Sequence, residues 1–310
     1  MKGPRAKSGG VRAMAASAGK WQGIPAGGPT ADSVRDTLQA YLDEAWRRYR
    51  RAMRKGLEDA EHAHQARVWA RRAMAAIDLY RDWVPGRTRR RMREGLRALR
   101  LAADKARGAD IWAAWLRSLP GKPGLEAWLL EVERERRKSY RNLARSRWKA
   151  RELERFRRRR ANLLARVSHR GNIPPLARLE EMMAKRIDRF FDACPHGGSR
   201  AEEYHRFRIA GKKLRHTLEL TGSLFGPEAR DDLHGRLKEV LDHLGEMNDL
   251  AYFSEQVAQS SLSGTETGLW LQDELLIRQQ QALGKYWECG HPDILRSLRA
   301  RFEAVCLPGD

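Results

Sequence analysis

Two short segments hold the groups in this chain best suited to do chemistry. HQARVWARR carries His64, Arg67, Arg71 and Arg72, and HRFRIAGKK carries His205, Arg208, Lys212 and Lys213. When charged, every one of these side chains donates hydrogen bonds and none accepts, so the ligand they suit is an anion. Arginine offers oxyanions a planar, bidentate fork and lysine a compact point charge. A histidine joins them when protonated, a form that a bound anion favours; otherwise it is a neutral ring bonded to a nearby backbone or carboxylate group. No Cys, Asp or second His stands four residues from either histidine, so neither has a metal-ligand partner at helical spacing.

At about 100° per residue, a helix puts His205, Arg208, Lys212, Arg215 and Glu219 inside an arc of roughly 80°. Phe207, Leu214, Leu218 and Phe225 fall on the other side. In the first segment His64, Arg67, Arg71 and Asp78 share one side, and Ala66, Ala73, Ile77, Tyr80 and Val84 the other. One such helix is ordinarily amphipathic with a wet face. Two with the same group type at four matched positions call for more than solvation.

Each basic residue of the second segment lies 141 residues after its counterpart, and the register holds without a gap. Leu38, Arg48 and Tyr49 fall over Leu179, Arg189 and Phe190, and Glu133 and Arg137 over Glu274 and Arg278. Arg48, Arg189, Arg137 and Arg278 are therefore further candidates for the anion site. The repeat has two flaws: Met74 stands over Arg215 and Gly108 over Asp249. The second half is expected to carry the larger share of binding, with Asp110 in part replacing the missing acid. Arg157–Arg160 has no basic counterpart block and reads as a solvated or nonspecific anion-binding face.

The elements that position these groups are helical. Beyond Thr30 apolar residues recur at three and four, and no run alternates with the strand period. Asp32 or Ser33 is expected to cap a first helix through Leu38, Leu42, Trp46 and Tyr49. A second helix follows from His64 to about Trp83, a third from Thr88 to about Arg107, and a long charged one from Leu125 to about Val167. The series restarts at Leu179 after a break over 171–175, with a basic helix after Ser199 and another over Leu233–Asp249. The expectation is an all-α chain of two duplicated antiparallel helical bundles, residues 31–171 and 174–306, after a tail over 1–30.

Composition agrees with an anionic partner. Sixty-one Lys and Arg against forty Asp and Glu leave a net charge of +21. Ten Trp and 41% hydrophobic residues imply a folded core. Three scattered cysteines give no disulfide framework and no zinc spacing, which suits a reducing cytoplasm. No apolar run is long enough to span a membrane. The first thirty residues are basic and acid-free, but their glycines interrupt any amphipathic helix, so a disordered basic tail is expected rather than an organelle transit peptide.

HQARVWARR and HRFRIAGKKLRHTLEL, each followed some forty residues later by RGAD or LGEMND, resemble the CHAD domain, the conserved histidine α-helical domain, over about residues 31–306. The resemblance implies two helical bundles related by pseudo-twofold symmetry around a basic central channel that binds inorganic polyphosphate. Polyphosphate has no bases, so its site needs spaced cationic donors and little else, with much of the affinity from counterion release. The expected protein is a binding module, not an enzyme, with no cofactor and no metal; no nucleophile elbow, P-loop or dinucleotide fingerprint occurs. Other readings are a nucleic-acid or nucleoid protein, an adaptor that recruits partners to polyphosphate, and an enzyme acting on polyphosphate or phosphohistidine. The expected location is the cytoplasm, at polyphosphate granules under the leading reading.

Overall fold

A computed structural model describes residues 24–25, 27–119, 121, 124–145 and 150–307. Among them are ten α-helices and no strand. The first half comprises α1 (Ala31–Lys55), α2 (Glu61–Leu79), α3 (Gly86–Arg117), α4 (Leu125–Arg145) and α5 (Ala150–Leu164). The second comprises α6 (Pro175–Phe191), α7 (Ala201–Thr221), α8 (Pro227–Ala258), α9 (Glu266–Gly290) and α10 (Pro292–Cys306). The order repeats at the offset seen in the sequence. Shifting the short 3-10 turn Arg81–Trp83 by 141 residues gives the second 3-10 turn, Gly222–Leu224, and shifting α3 gives the bounds of α8.

Thr30 rather than Asp32 or Ser33 caps α1. Its hydroxyl accepts from the Ser33 amide (3.2 Å), and the Ser33 hydroxyl accepts from the Thr30 amide (2.9 Å), so two otherwise orphaned donors are satisfied reciprocally. α3 and α8 run well past the expected ends. Gly108 does not stop α3, because Trp112 and Leu116 continue its apolar stripe into a core shared with Trp128, Phe253 and Leu271. The helix expected over 125–167 is present as α4 and α5, with 146–149 outside the described residues. Of the expected tail, residues 1–23 also lie outside them, but Ile24 is buried in the first-half core and its amide donates to the Ser223 hydroxyl (2.7 Å).

Three hydrophobic clusters organise the packing. One belongs mainly to α1–α3 and α5, one to α6–α8 and α10, and the third joins α3 and α4 to α8 and α9 across the halves. The apolar sides of α2 and α7 lie inside: Ala66, Ala73, Ile77, Phe207, Leu214 and Leu218 are buried. Gly211 is needed within α7, since a Cβ there would meet Leu241 and Phe190 at 2.7 and 2.8 Å. These contacts fix the rotation of both helices, and α2 packs directly on α7. Their basic sides are thereby turned toward one shared space.

Candidate anion-binding site

The basic stripe of α2 meets a stripe on α3, running antiparallel to it. Arg67 Nε lies 2.5 Å from Asp104 Oδ1, and Asp104 also accepts from Arg100 (2.8 Å). Asp78 pairs with Arg93 further along the seam. At its other end His64 lies in the field of Arg107: burial first, then Arg107, hold the imidazole below its ordinary value, with Arg67 and Arg71 adding to them and Glu61 opposing. The neutral ring is thus the resting form.

α7 brings its own cations into the same space. Arg71 is depressed to about 10 by burial and by Arg67 and Arg100, with Asp104 opposing and Arg208 of the other half adding to the depression. Lys212 is pushed down to about 6 by burial, then by Arg208, Arg71, Arg215 and Arg67. Burial disfavours the ammonium, and neighbouring cations without a close carboxylate push it further the same way. Arg208 lies in the field of Asp249 but has no ion pair among the described residues, and its Nε and that of Arg215 are buried there without a hydrogen-bond partner. The arrangement is a set of fixed donors lacking acceptors.

Beneath it, Arg72 of α2 reaches across the halves to Glu219 of α7 (3.0 Å) and stacks over Trp69, 5.0 Å from the ring centroid. Glu219 also faces His234 (3.4 Å) and Arg215 (3.7 Å). Burial would raise this carboxyl, but the hydrogen bond to His234 and the charges of His216 and Arg72 bring it down to about 2. His216, fully buried beside it, is pushed down to about 3 by burial against the pull of Glu219. Arg72 is therefore an inter-half tie as well as a cation of the stripe.

The CHAD domain model matches residues 8–258, most of the chain. The chain belongs to the CHAD domain family. Its fold is shared with the crystal structure of the CHAD domain from the plant Ricinus communis, at 20% identity and a TM-score of 0.71 over 92% of this chain and 96% of that one. It is likewise similar to PptA from Streptomyces chartreusis, at 18% identity and a TM-score of 0.63 over 84% of this chain and 99% of that one. No curated protein sequence matches at a significant level.

Within this CHAD fold the structure brings together His64, Arg67, Arg71, Arg208, Lys212 and Arg215. His205 stands at the outer end of α7, its Nδ1 2.9 Å from the Asn248 amide oxygen, to which it donates. Five candidates face elsewhere. Arg48 is held by Glu44 within α1 (2.5 Å), and Arg278 by Glu274 within α9 (2.5 Å) beside Trp115. Arg137 is exposed, and it is its neighbour Arg136 that turns inward, to Asp110 (2.7 Å). Arg189 and Lys213 line a separate groove between α6 and α7 with Arg186 and Arg206. Asp110 does not stand in for the acid missing at Gly108: it is buried and bonded to Arg136 and Tyr140 on α4. Asp104 fills that role.

The residues missed by sequence reading are those of α3. Arg93, Arg97, Arg100, Asp104 and Arg107 recur at four, three, four and three, a helical stripe in its own right. Searching for repeated residues hid it, because the positions 141 later are His234, Lys238, Leu241, Gly245 and Asn248. The run Arg157–Arg160 is partly engaged, Arg158 with Glu154 and Arg160 with Asp43. Among the described residues no group of His, Cys, Asp and Glu is placed to hold a metal ion, and no helix is long and apolar enough to cross a membrane.

Proposed function

We propose that this CHAD protein binds inorganic polyphosphate, without catalysis, in the space between α2, α3 and α7. The observation that carries the reading is the cluster of Arg71, Arg208 and Lys212, none of them in an ion pair among the described residues, in which Lys212 is held down to about 6 by burial and then by its cationic neighbours. A chain of phosphates supplies the missing acceptors and lets Lys212 regain its proton. The two stripes come from the two halves, so a duplicated fold with its halves disposed about a basic channel is the arrangement that suits a linear polyanion. Binding at polyphosphate granules and recruitment of partners are consequences this reading allows.

A nucleic-acid ligand has less support. Single-stranded sites need aromatic faces on which bases stack. Of the described tryptophans none is exposed, and Trp69, the one beside the cluster, lies under Arg72. Titrating the protein with long-chain polyphosphate, DNA and heparin at matched charge tests the choice: polyphosphate should displace DNA. Raising salt from about 50 to about 200 mM should weaken polyphosphate at least tenfold if even a few phosphates are contacted. A flat salt response, or displacement of polyphosphate by DNA, overturns the reading.

A further inference from the structure

We infer that the chain carries a second anion site, built mainly by the first half: an open pocket of about 560 Å³ between α2, α3 and α6 that takes a compact inorganic oligophosphate of triphosphate size. Arg81, Arg89, Arg90, Arg93, Arg97 and Arg186 line it, against the carboxylates of Asp78 and Glu94. Six guanidinium groups over two carboxylates leave an excess of four, which a monovalent anion would leave mostly unbalanced. Arg93 pairs with Asp78, and Arg81 lies 3.7 Å from Asp82, which does not line the pocket; Arg90 and Glu94 are 3.9 Å apart and both exposed. Arg97 and Arg186 have no ion pair among the described residues, so their forks are available for bidentate phosphate contact. Arg89 is aimed by its bond to the Arg81 carbonyl (2.9 Å).

The walls set the size of the ligand. Met74 and Met182 form an apolar floor, which keeps water from one side of a bound anion and strengthens the arginine contacts above it. Burial, then Arg189 and Arg93, already depress Arg186 against the pull of Asp78, the condition of a site awaiting negative charge. No aromatic side chain lines the pocket, so a nucleotide base would have nothing to stack on. Nor is the pocket repeated. The positions 141 residues after Arg81, Arg89, Arg90, Arg93 and Arg97 hold Gly222, Arg230, Asp231, His234 and Lys238, and the position 141 before Arg186 holds Ala45. Met74 is thus less a missing cation of the stripe than the floor of this pocket.

Calorimetric titration of the full chain with inorganic triphosphate tests the site independently of polyphosphate binding. Wild type should bind one equivalent, and Arg89→Ala with Arg90→Ala, neither of them in the α3 stripe of the polyphosphate site, should weaken it at least tenfold while long-chain polyphosphate changes by less than about threefold. Arg208→Ala with Lys212→Ala should do the reverse. Arg186→Ala gives a second probe from a different helix, with helical circular dichroism confirming that each variant is folded. Triphosphate binding that is absent in wild type, unchanged in the pocket variants, or lost equally in the α7 variant overturns the inference, as does tighter binding of ATP than of triphosphate. Triphosphate lost only in the pocket variants, with no long-chain binding by wild type, would leave this site standing and remove the polyphosphate reading.

Discussion

The two halves place their basic helices alike and neutralise them differently. In the first, Arg67 sits on Asp104 and Asp78 on Arg93, both at half-exposed ion pairs between α2 and α3. In the second, the position matching Asp104 is Gly245, so Arg208 keeps only the field of Asp249, with no ion pair among the described residues, while Glu219 is buried among His234, Arg215 and the incoming Arg72. One half keeps its acids near water and adds arginines from α3. The other hides its acid in the interface, against Arg72 and Arg215, and leaves Arg208 and Lys212 without an ion pair among the described residues. A duplicated helix pattern therefore fixes where the charges stand, and the helix packed opposite decides which of them remain available.

Removing each acid should show the contrast at its largest. Glu219→Ala leaves Arg72 buried without its counter-charge, an expected loss of about 3 to 5 kcal/mol in stability. Asp78→Ala removes a more exposed pair and should cost under about 1 kcal/mol. Denaturant midpoints of the two variants measure this, and equal losses would mean that the interface tie carries no special weight.

Polyphosphate affinity should divide the halves next. Arg208→Ala with Lys212→Ala is expected to weaken binding more than Arg67→Ala with Arg71→Ala, because α3 still supplies Arg100 and Arg107 to the first half. A charge-assisted bond is worth about 1.5 to 3 kcal/mol, so the second-half pair should lose well over tenfold. Adding Arg100→Ala and Arg107→Ala to the first-half pair should remove the difference. Arg72 is left out of the comparison, since its loss strips Glu219.

The pH response should come from one half. Arg71, depressed to about 10, stays charged at neutral pH, whereas its counterpart Lys212, at about 6, does not. Polyphosphate should therefore bind with proton uptake and more tightly as pH falls from 8 to 6, and Lys212→Met should flatten most of that slope, with the part due to His64 remaining. Without ligand the sign reverses. Between about pH 6 and its unfolded value Lys212 binds more protons unfolded than folded, so stability should rise with pH across that window and fall as pH drops toward 6. Melting temperatures at pH 6, 7, 8 and 9 check the sign, and a Lys212→Met profile as steep as wild type would refute the assignment.

The smallest contrast is at the outer ends of the stripes. His205 has Asn248 as its neighbour where His64 has Arg107. Asn248→Ala should change polyphosphate affinity by less than about threefold, since it removes one exposed hydrogen bond, whereas Arg107→Ala removes a cation and should cost more. Titrations of both variants at one salt concentration rank them.

Much of this was legible from residue spacing. Helical periods of three and four gave the element order, and the 141-residue register found α2 and α7, their buried sides and the histidines. Residue identity alone could not say which of several matched arginines point inward. Arg137 and Arg278 align in sequence, but Glu133 turns to Arg117 and Arg136 while Glu274 takes Arg278. The third helix was expected to end near Arg107 because the Trp112 and Leu116 contacts that carry α3 onward come from distant helices.

The sequence by itself determined the helical class, and its 141-residue register and net charge pointed to paired basic helices and an anionic partner, because periodicity and charge are properties of the chain read locally. Only the tertiary structure decided which cations are free. Whether a guanidinium is neutralised depends on the residue facing it from another helix, as Asp104 faces Arg67 and Gly245 faces Arg208, and whether an ammonium keeps its proton depends on burial among neighbours drawn from both halves, as at Lys212. Distances across helices set those energies, and no spacing along the chain encodes them.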